Sequence, residues 1–228
     1  MILVFGQTGQ VAQELARHDG VTCLGRTQAD LSDPAACAAV ISEMRPTAVI
    51  NAAAYTAVDK AETEEALAQV INAEAPAAMA QACAALGIPF VTLSTDYVFD
   101  GSGTRAWRPD DCPAPLNAYG RSKLAGEMAV VAAGGSFAVL RTSWVVSAHG
   151  QNFIKTMLRL GAERARLTIV ADQIGAPTPA RDIAATCLEV ARQLASDPGK
   201  AGIYHYGGSP ETSWAGFAEA IFSRAGIA

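Results

Sequence analysis

Charge, aromatic rings and clustered reactive side chains are all scarce in this sequence. Only 17% of residues are charged, 7% are aromatic, and the net charge of -5 is spread along the chain. There is no basic run and no aromatic–basic interleaving, which argues against a nucleic-acid-binding face. The five cysteines (Cys23, Cys37, Cys83, Cys112 and Cys187) are odd in number, scattered and never in a CxxC spacing. That distribution argues against a disulfide framework and fits small core residues in a reducing compartment. The three histidines, His18, His149 and His205, stand apart from one another and from any cysteine pair, so no metal-ligand spacing arises. No apolar run reaches membrane-spanning length. The first apolar segment begins almost at Met1, so no leader is expected. These absences lead to the expectation of a cytoplasmic protein without a membrane partner.

Apolar residues, by contrast, make up 50% of the 228 residues, enough for a substantial core. Short apolar runs ("ILVF", "VTCLG", "AVINAAA", "PFVTLST", "FAVLRTSWVV", "LTIVAD", "GIYHYGG") alternate with helical stretches. In "DPAACAAVISEM", Asp33 is placed to cap a helix and Pro34 to occupy its first position. "EEALAQVINAEAPAAMAQACAALG" predicts a long helix, disturbed near Pro76 and ending at Gly87. This alternation predicts an α/β fold, a Rossmann-like doubly wound parallel sheet. The expected division is a dinucleotide-binding unit with the reactive residues over 1–146. Over 147–228 a mixed region is expected, part sheet and helices, part small and incomplete substrate lobe.

The first run ends in a glycine turn, "FGQTGQVA", that opens a helix. The pattern is G-x-x-G-x-x-A rather than G-x-G-x-x-G, with Gly6, Gln7, Thr8 and Gly9 in the turn, then Gln10, Val11 and the small Ala12. Such a turn lets backbone N–H groups approach a pyrophosphate, although a purely structural turn has the same look. The second strand ends "LGR": no acid stands at its tip, and Arg26 favours a 2'-phosphate, hence NADPH over NADH, unless it is simply a solvated arginine. Asp30, on the following loop, either approaches the adenine or simply caps the next turn. Ala52, Ala53 and Ala54 leave room for a dinucleotide over the third strand, as they would for close helix packing. Asp59, Lys60 and Glu62 look like a solvated helix start. In "NAYGRSKLAGE", Tyr119 and Lys123 stand one helical turn apart. A lysine charge near a phenol lowers the phenol's pKa and makes it a proton donor near neutral pH. The same spacing also describes a surface tyrosine packed on a lysine stem.

"FGQTGQVA", "NAAAYTAVDKAE", "STDYVFDG", "PLNAYGRSKLAGE", "RTSWV", "NFIKTMLRL" and "DQIGAPT" occur in one order and span almost the whole chain. Together they resemble the dTDP-4-dehydrorhamnose reductases of the extended short-chain dehydrogenase/reductase family. The resemblance implies reduction of the C4 ketone of dTDP-4-dehydro-6-deoxy-L-mannose to dTDP-L-rhamnose with NADPH or NADH. It implies that Tyr119 donates the proton to the C4 oxygen, that Thr95 hydrogen-bonds the same oxygen, and that Lys123 holds the nicotinamide ribose. Gly9, Gln10 and Val11 would meet the pyrophosphate, and Asp30 and Leu31 would border the adenine. Ala54, Tyr55 and Thr56 would line the cofactor's path; Asp96 and Trp144 would meet the sugar nucleotide. Family members continue with a stretch of the type R-P-x-x-S-x-L that helps close the sugar-nucleotide site, whereas this sequence stops at "FSRAGIA". Some members dimerise through Mg2+ held by glutamates. Glu14 matches one ligand, but Arg181 stands where a second acid is expected, which disfavours a magnesium bridge; monomer and homodimer both fit. Two rivals remain: another sugar-nucleotide epimerase or dehydratase, disfavoured because Tyr97 rather than an acid follows "STD", and a binding-only regulatory subunit of the methionine adenosyltransferase type, disfavoured by intact Thr95, Tyr119 and Lys123.

Overall fold

The computed structural model describes residues 1–227. Strand β1 (Ile2–Phe5) is followed by α1 (Gln10–Leu15), β2 (Val21–Leu24), α2 (Pro34–Met44), β3 (Ala48–Asn51), α3 (Val58–Ala61), α4 (Glu65–Gln69), α5 (Ala75–Leu86) and β4 (Phe90–Thr95). Then come α6 (Ala118–Ala133), β5 (Phe137–Thr142), β6 (Val145–Val146), α7 (Phe153–Glu163), β7 (Ile174–Gly175), β8 (Thr178–Pro179), α8 (Ala180–Ser196), β9 (Gly202–His205), β10 (Thr212–Ser213) and α9 (Trp214–Ala225). The main sheet has the order β2-β1-β3-β4-β5-β9, and every pairing in it is parallel. Its order reverses between β1 and β3, the place where ligands bind an open α/β sheet, outside the carboxyl ends of the strands.

The strands are apolar on both faces because both faces are covered. Leu3, Phe5, Val49, Phe90 and Val139 pack with Ile41 of α2 and Met79 and Cys83 of α5. The alternate residues Val4, Ile50, Val91, Ala138 and Leu140 pack with Leu15 of α1 and Ile183, Cys187 and Leu188 of α8. The caps follow the sequence: Asp33 accepts the Ala36 N–H at 3.0 Å, and Gly87 ends α5 with φ 67°. The disturbance expected near Pro76 is a π-helical stretch, Val70–Glu74, just ahead of it; a proline has no N–H to continue an α ladder.

One expected strand is absent. "LTIVAD" is irregular: Leu167 and Ile169 pack against Met157, Ala218 and Ile221 on α7 and α9, so their alternation reflects helix contact. The strand expected over "FAVLRTSWVV" breaks after Thr142, where Trp144 takes φ 50°.

Candidate active site

Helix α6 brings the phenol and the ammonium to the carboxyl edge of the sheet. Asn117 caps it by accepting the Gly120 N–H at 2.7 Å, and Glu62 Oε1 accepts the Ala118 N–H at 2.7 Å. Glu62 is therefore a cap for α6 and not merely part of a solvated helix start. Two glycines let α6 lie close: a Cβ at Gly120 would collide with the Tyr97 carbonyl oxygen, and one at Gly126 with that of Asn72. Asn72 ties the helix to the loop after β3. Its side chain accepts the Tyr55 N–H at 2.8 Å and donates to the Tyr55 carbonyl and the Ser122 hydroxyl, both at 3.0 Å.

Thr95 ends β4, buried, with its hydroxyl donating to Asp96 Oδ1 at 3.1 Å and accepting from the Tyr97 N–H at 3.2 Å. The Tyr119 phenol shares this corner, and the Tyr97 and Tyr119 rings meet edge to face at 5.6 Å. Burial pushes the phenol up to about 12; the Thr95 hydroxyl lowers it, while Asp96 and Tyr97 add to the rise. Asp96 is itself raised by desolvation. Lys123 is buried and donates to the Leu93 carbonyl at 2.8 Å; desolvation pulls it down to about 8 against the opposing pull of Glu127. The expectation that Lys123 lowers the Tyr119 pKa is not met in this state, because the lysine is turned toward Leu93 and burial dominates the phenol.

The glycine turn lies across the β1–β3 edge. Gly6 has φ 120°, and a Cβ there would stand 3.3 Å from the Ala52 backbone. Gly9 caps α1 without any side-chain bond, leaving the first N–H groups of the helix unclaimed by side chains. Gln10 reaches the other way, donating to the Val145 carbonyl at 3.2 Å and accepting from Ser147 and Asn152 at 2.9 Å. Gln7 lies against Gly25 at the tip of β2, beside exposed Arg26. Asp30 accepts the Ser32 N–H at 2.9 Å, capping the turn that follows it, and that bond lowers its pKa. Leu31 is buried in the core. Tyr55 donates to Glu64 at 2.7 Å. Trp144 stacks on Trp214 with ring centroids 3.5 Å apart. The Glu14 carboxylate accepts from Arg17 at 3.3 Å and lies 3.0 Å from His149 Nε2, a buried ring nitrogen without a hydrogen-bond partner, and Arg181 lies on the neighbouring α8.

Several site neighbours were invisible as sequence. The Thr142 hydroxyl is buried without a hydrogen-bond partner directly beside Thr95 in the β4–β5 register. Glu127 and Arg141 form a buried ion pair at 2.6 Å. The available signals were slight: a glutamate one turn beyond Lys123, and a single arginine inside an apolar strand.

Comparisons with known proteins agree with this geometry. The model of the RmlD substrate binding domain matches residues 1–228. A dTDP-4-dehydrorhamnose reductase of Burkholderia thailandensis is 48% identical over 228 residues, 96% of this chain and 76% of the relative. One of Escherichia coli K12 is 43% identical over 98% of this chain and 78% of its own length. Among solved structures, a dTDP-4-dehydrorhamnose reductase of Clostridium acetobutylicum superposes with a TM-score of 0.92 at 36% identity, covering 99% of this chain and 80% of that one. The Bacillus anthracis enzyme in complex with NADP gives 0.91 at 36% identity over the same shares. With the turn, the Thr95 corner and the buried lysine all set along one sheet edge, and with a match running the length of the sequence, the chain belongs to the dTDP-4-dehydrorhamnose reductase family.

Proposed function

We propose that this chain binds a reduced nicotinamide dinucleotide over the β1–β3 edge and reduces the C4 ketone of dTDP-4-dehydro-6-deoxy-L-mannose, giving dTDP-L-rhamnose. The observation that carries this reading is the Thr95–Tyr119 corner with Lys123 buried one turn along α6. The residues fit such a cofactor: the start of α1 after Gly9 has no side-chain cap, and Thr142 holds a buried unpaired hydroxyl at the edge of the corner. Gly9, Gln10 and Val11 serve the pyrophosphate, Ala52–Thr56 the path of the chain, and Arg26 a 2'-phosphate, which makes NADPH the preferred form. When bound, the dinucleotide supplies the hydride for C4.

The protein supplies the rest. A phenol raised to about 12 is fully protonated at neutral pH, so Tyr119 carries the proton that the C4 oxygen needs. Thr95 donates to the same oxygen as negative charge grows on it, which stabilises the transition state more than the ketone. Lys123 would hold the ribose hydroxyls of the dinucleotide. Asp96 and Trp144 orient the sugar nucleotide. Residues 1–146 form the dinucleotide and proton-transfer unit; α7 and α9, beyond residue 147, form the substrate lobe. Purified chain mixed with the keto sugar nucleotide and NADPH should oxidise the cofactor one-for-one with formation of dTDP-L-rhamnose. Conversion of the sugar without net NADPH loss would indicate an epimerase or dehydratase, and binding without conversion a regulatory subunit.

A further inference from the structure

We propose that Glu127, held by Arg141 and Ser94, is a positioning residue that keeps Lys123 an ammonium ready for the dinucleotide; this rests on the ribose-binding reading of Lys123. Glu127 follows Lys123 by one turn on α6, and both line one small cavity with Ser94 and Leu93. The carboxylate is fully engaged. Ser94 donates to Oε1 at 2.5 Å; Arg141 donates from Nε at 2.9 Å to Oε1 and from Nη2 at 2.6 Å to Oε2. Arg141 is pinned in turn by the Pro109 carbonyl at 3.3 Å, by His205 at 3.4 Å and by the Phe99 ring at 5.0 Å. His205 contacts the Trp107 carbonyl at 3.2 Å, and burial followed by Arg141 lowers its pKa, so it adds no charge at neutral pH. Tyr119 is neutral there as well, and Asp96 acts on the Tyr119 side of the corner.

The buried cluster therefore holds two cations, Lys123 and Arg141, around one anion. Glu127 is the carboxylate that lines the same cavity as Lys123, one helical turn along and without a direct ion pair to it, and it favours the ammonium there. Of the two cations only lysine can give up its proton. Removing the anion makes Lys123 the group that neutralises. Removing Arg141 leaves Glu127 wholly to Lys123 and favours the ammonium. The two ends of one ion pair thus act on the lysine in opposite directions. A merely structural pair behaves differently: loss of either end admits water, and both changes drive Lys123 upward toward its ordinary value.

The chain has only four lysines, Lys60, Lys123, Lys155 and Lys200, so an isotope-labelled side-chain NMR titration can follow Lys123 without any turnover. We expect Glu127→Gln to lower the Lys123 midpoint by about one pH unit or more, and Arg141→Gln to raise it. The double variant E127Q/R141Q, which leaves no unpaired partner, should stay below wild type, and it decides the matter if Glu127→Gln alone does not fold. In Glu127→Gln, NADPH affinity should fall about tenfold between pH 6 and pH 8, in line with loss of the ammonium. A Lys123 midpoint at or above wild type in the variants that lack the Glu127 carboxylate would overturn the proposal, even in an active enzyme. A chain that fails to reduce the keto sugar while the midpoints move as described would instead overturn the reductase reading alone.

Discussion

Lys123→Met should make the free chain more stable while abolishing its function. Lys123 is 5% exposed, and desolvation pulls its pKa from 10.5 down to about 8. A difference of this size costs about 3 kcal/mol in stability at pH 7, because the fold holds a charge it disfavours. The sign follows from proton binding. Between about pH 8 and 10.5 the unfolded chain keeps a lysine proton that the folded chain has lost, so wild-type stability rises across that window. Below pH 8 the full penalty is present. Methionine fills much the same volume without the charge; what it gives up is the bond to the Leu93 carbonyl, about 1 kcal/mol. The variant should therefore be about 2 kcal/mol more stable than wild type at pH 7, and this advantage should vanish near pH 10. Urea unfolding at both pH values measures the gap, and calorimetry with NADPH measures the accompanying loss of cofactor binding. A methionine variant less stable at pH 7, or a gap that does not change with pH, would refute the account of a costly buried ammonium.

Further outcomes are expected elsewhere in the site. Tyr119→Phe keeps the ring contact with Tyr97 and removes only the proton, so turnover should fall about 10²–10⁴-fold with the melting temperature and NADPH affinity nearly unchanged; steady-state kinetics near wild type would exclude Tyr119 as the acid. Thr95→Val, which loses a hydrogen bond but no proton, should cost less turnover than Tyr119→Phe. Arg26→Ala should weaken NADPH and leave NADH alone in a titration of both; equal affinities unchanged by the substitution would remove Arg26 from cofactor choice. Gly120→Ala drives a Cβ into the Tyr97 carbonyl, so it should cost about 1–3 kcal/mol and lower turnover by displacing Tyr119, read by thermal melts alongside kinetics.

What the sequence disclosed was what local chemistry determines. The Asp33 cap, the Gly87 terminus, the glycine turn and the one-turn spacing of Tyr119 and Lys123 are set within a few residues, and each is found in place. The misread segments are those where distant packing decides. "LTIVAD" has the alternation of a strand, but its apolar residues meet α7 and α9, which come from before and after it in the chain. Glu62 looked solvated because its partner, the Ala118 N–H, lies 56 residues away. The tyrosine's pKa was misjudged for the same reason: the i,i+4 relation was legible, whereas the Leu93 carbonyl that draws the ammonium aside belongs to another strand.

These long-range ties share one target. Glu62 fixes the first turn of α6, Asn72 reaches Ser122 in the second, and Arg141 grips Glu127 in the third. Each tie comes from a different element, and the Asn117 cap with the close contacts of Gly120 and Gly126 lets the helix approach closely. A helix held on several sides cannot easily rotate, and this holds Tyr119 beside Thr95. The arrangement carries its own cost. Burying α6 this deeply raises the phenol, which simply stays neutral, and depresses the ammonium, which alone carries a charge that the fold disfavours. An anionic, hydroxyl-rich ligand at this edge relieves the lysine directly, so part of its binding free energy comes from strain that the fold has already accepted. On this argument the elements that hold the helix rigid and the elements that make it hungry for a dinucleotide are the same.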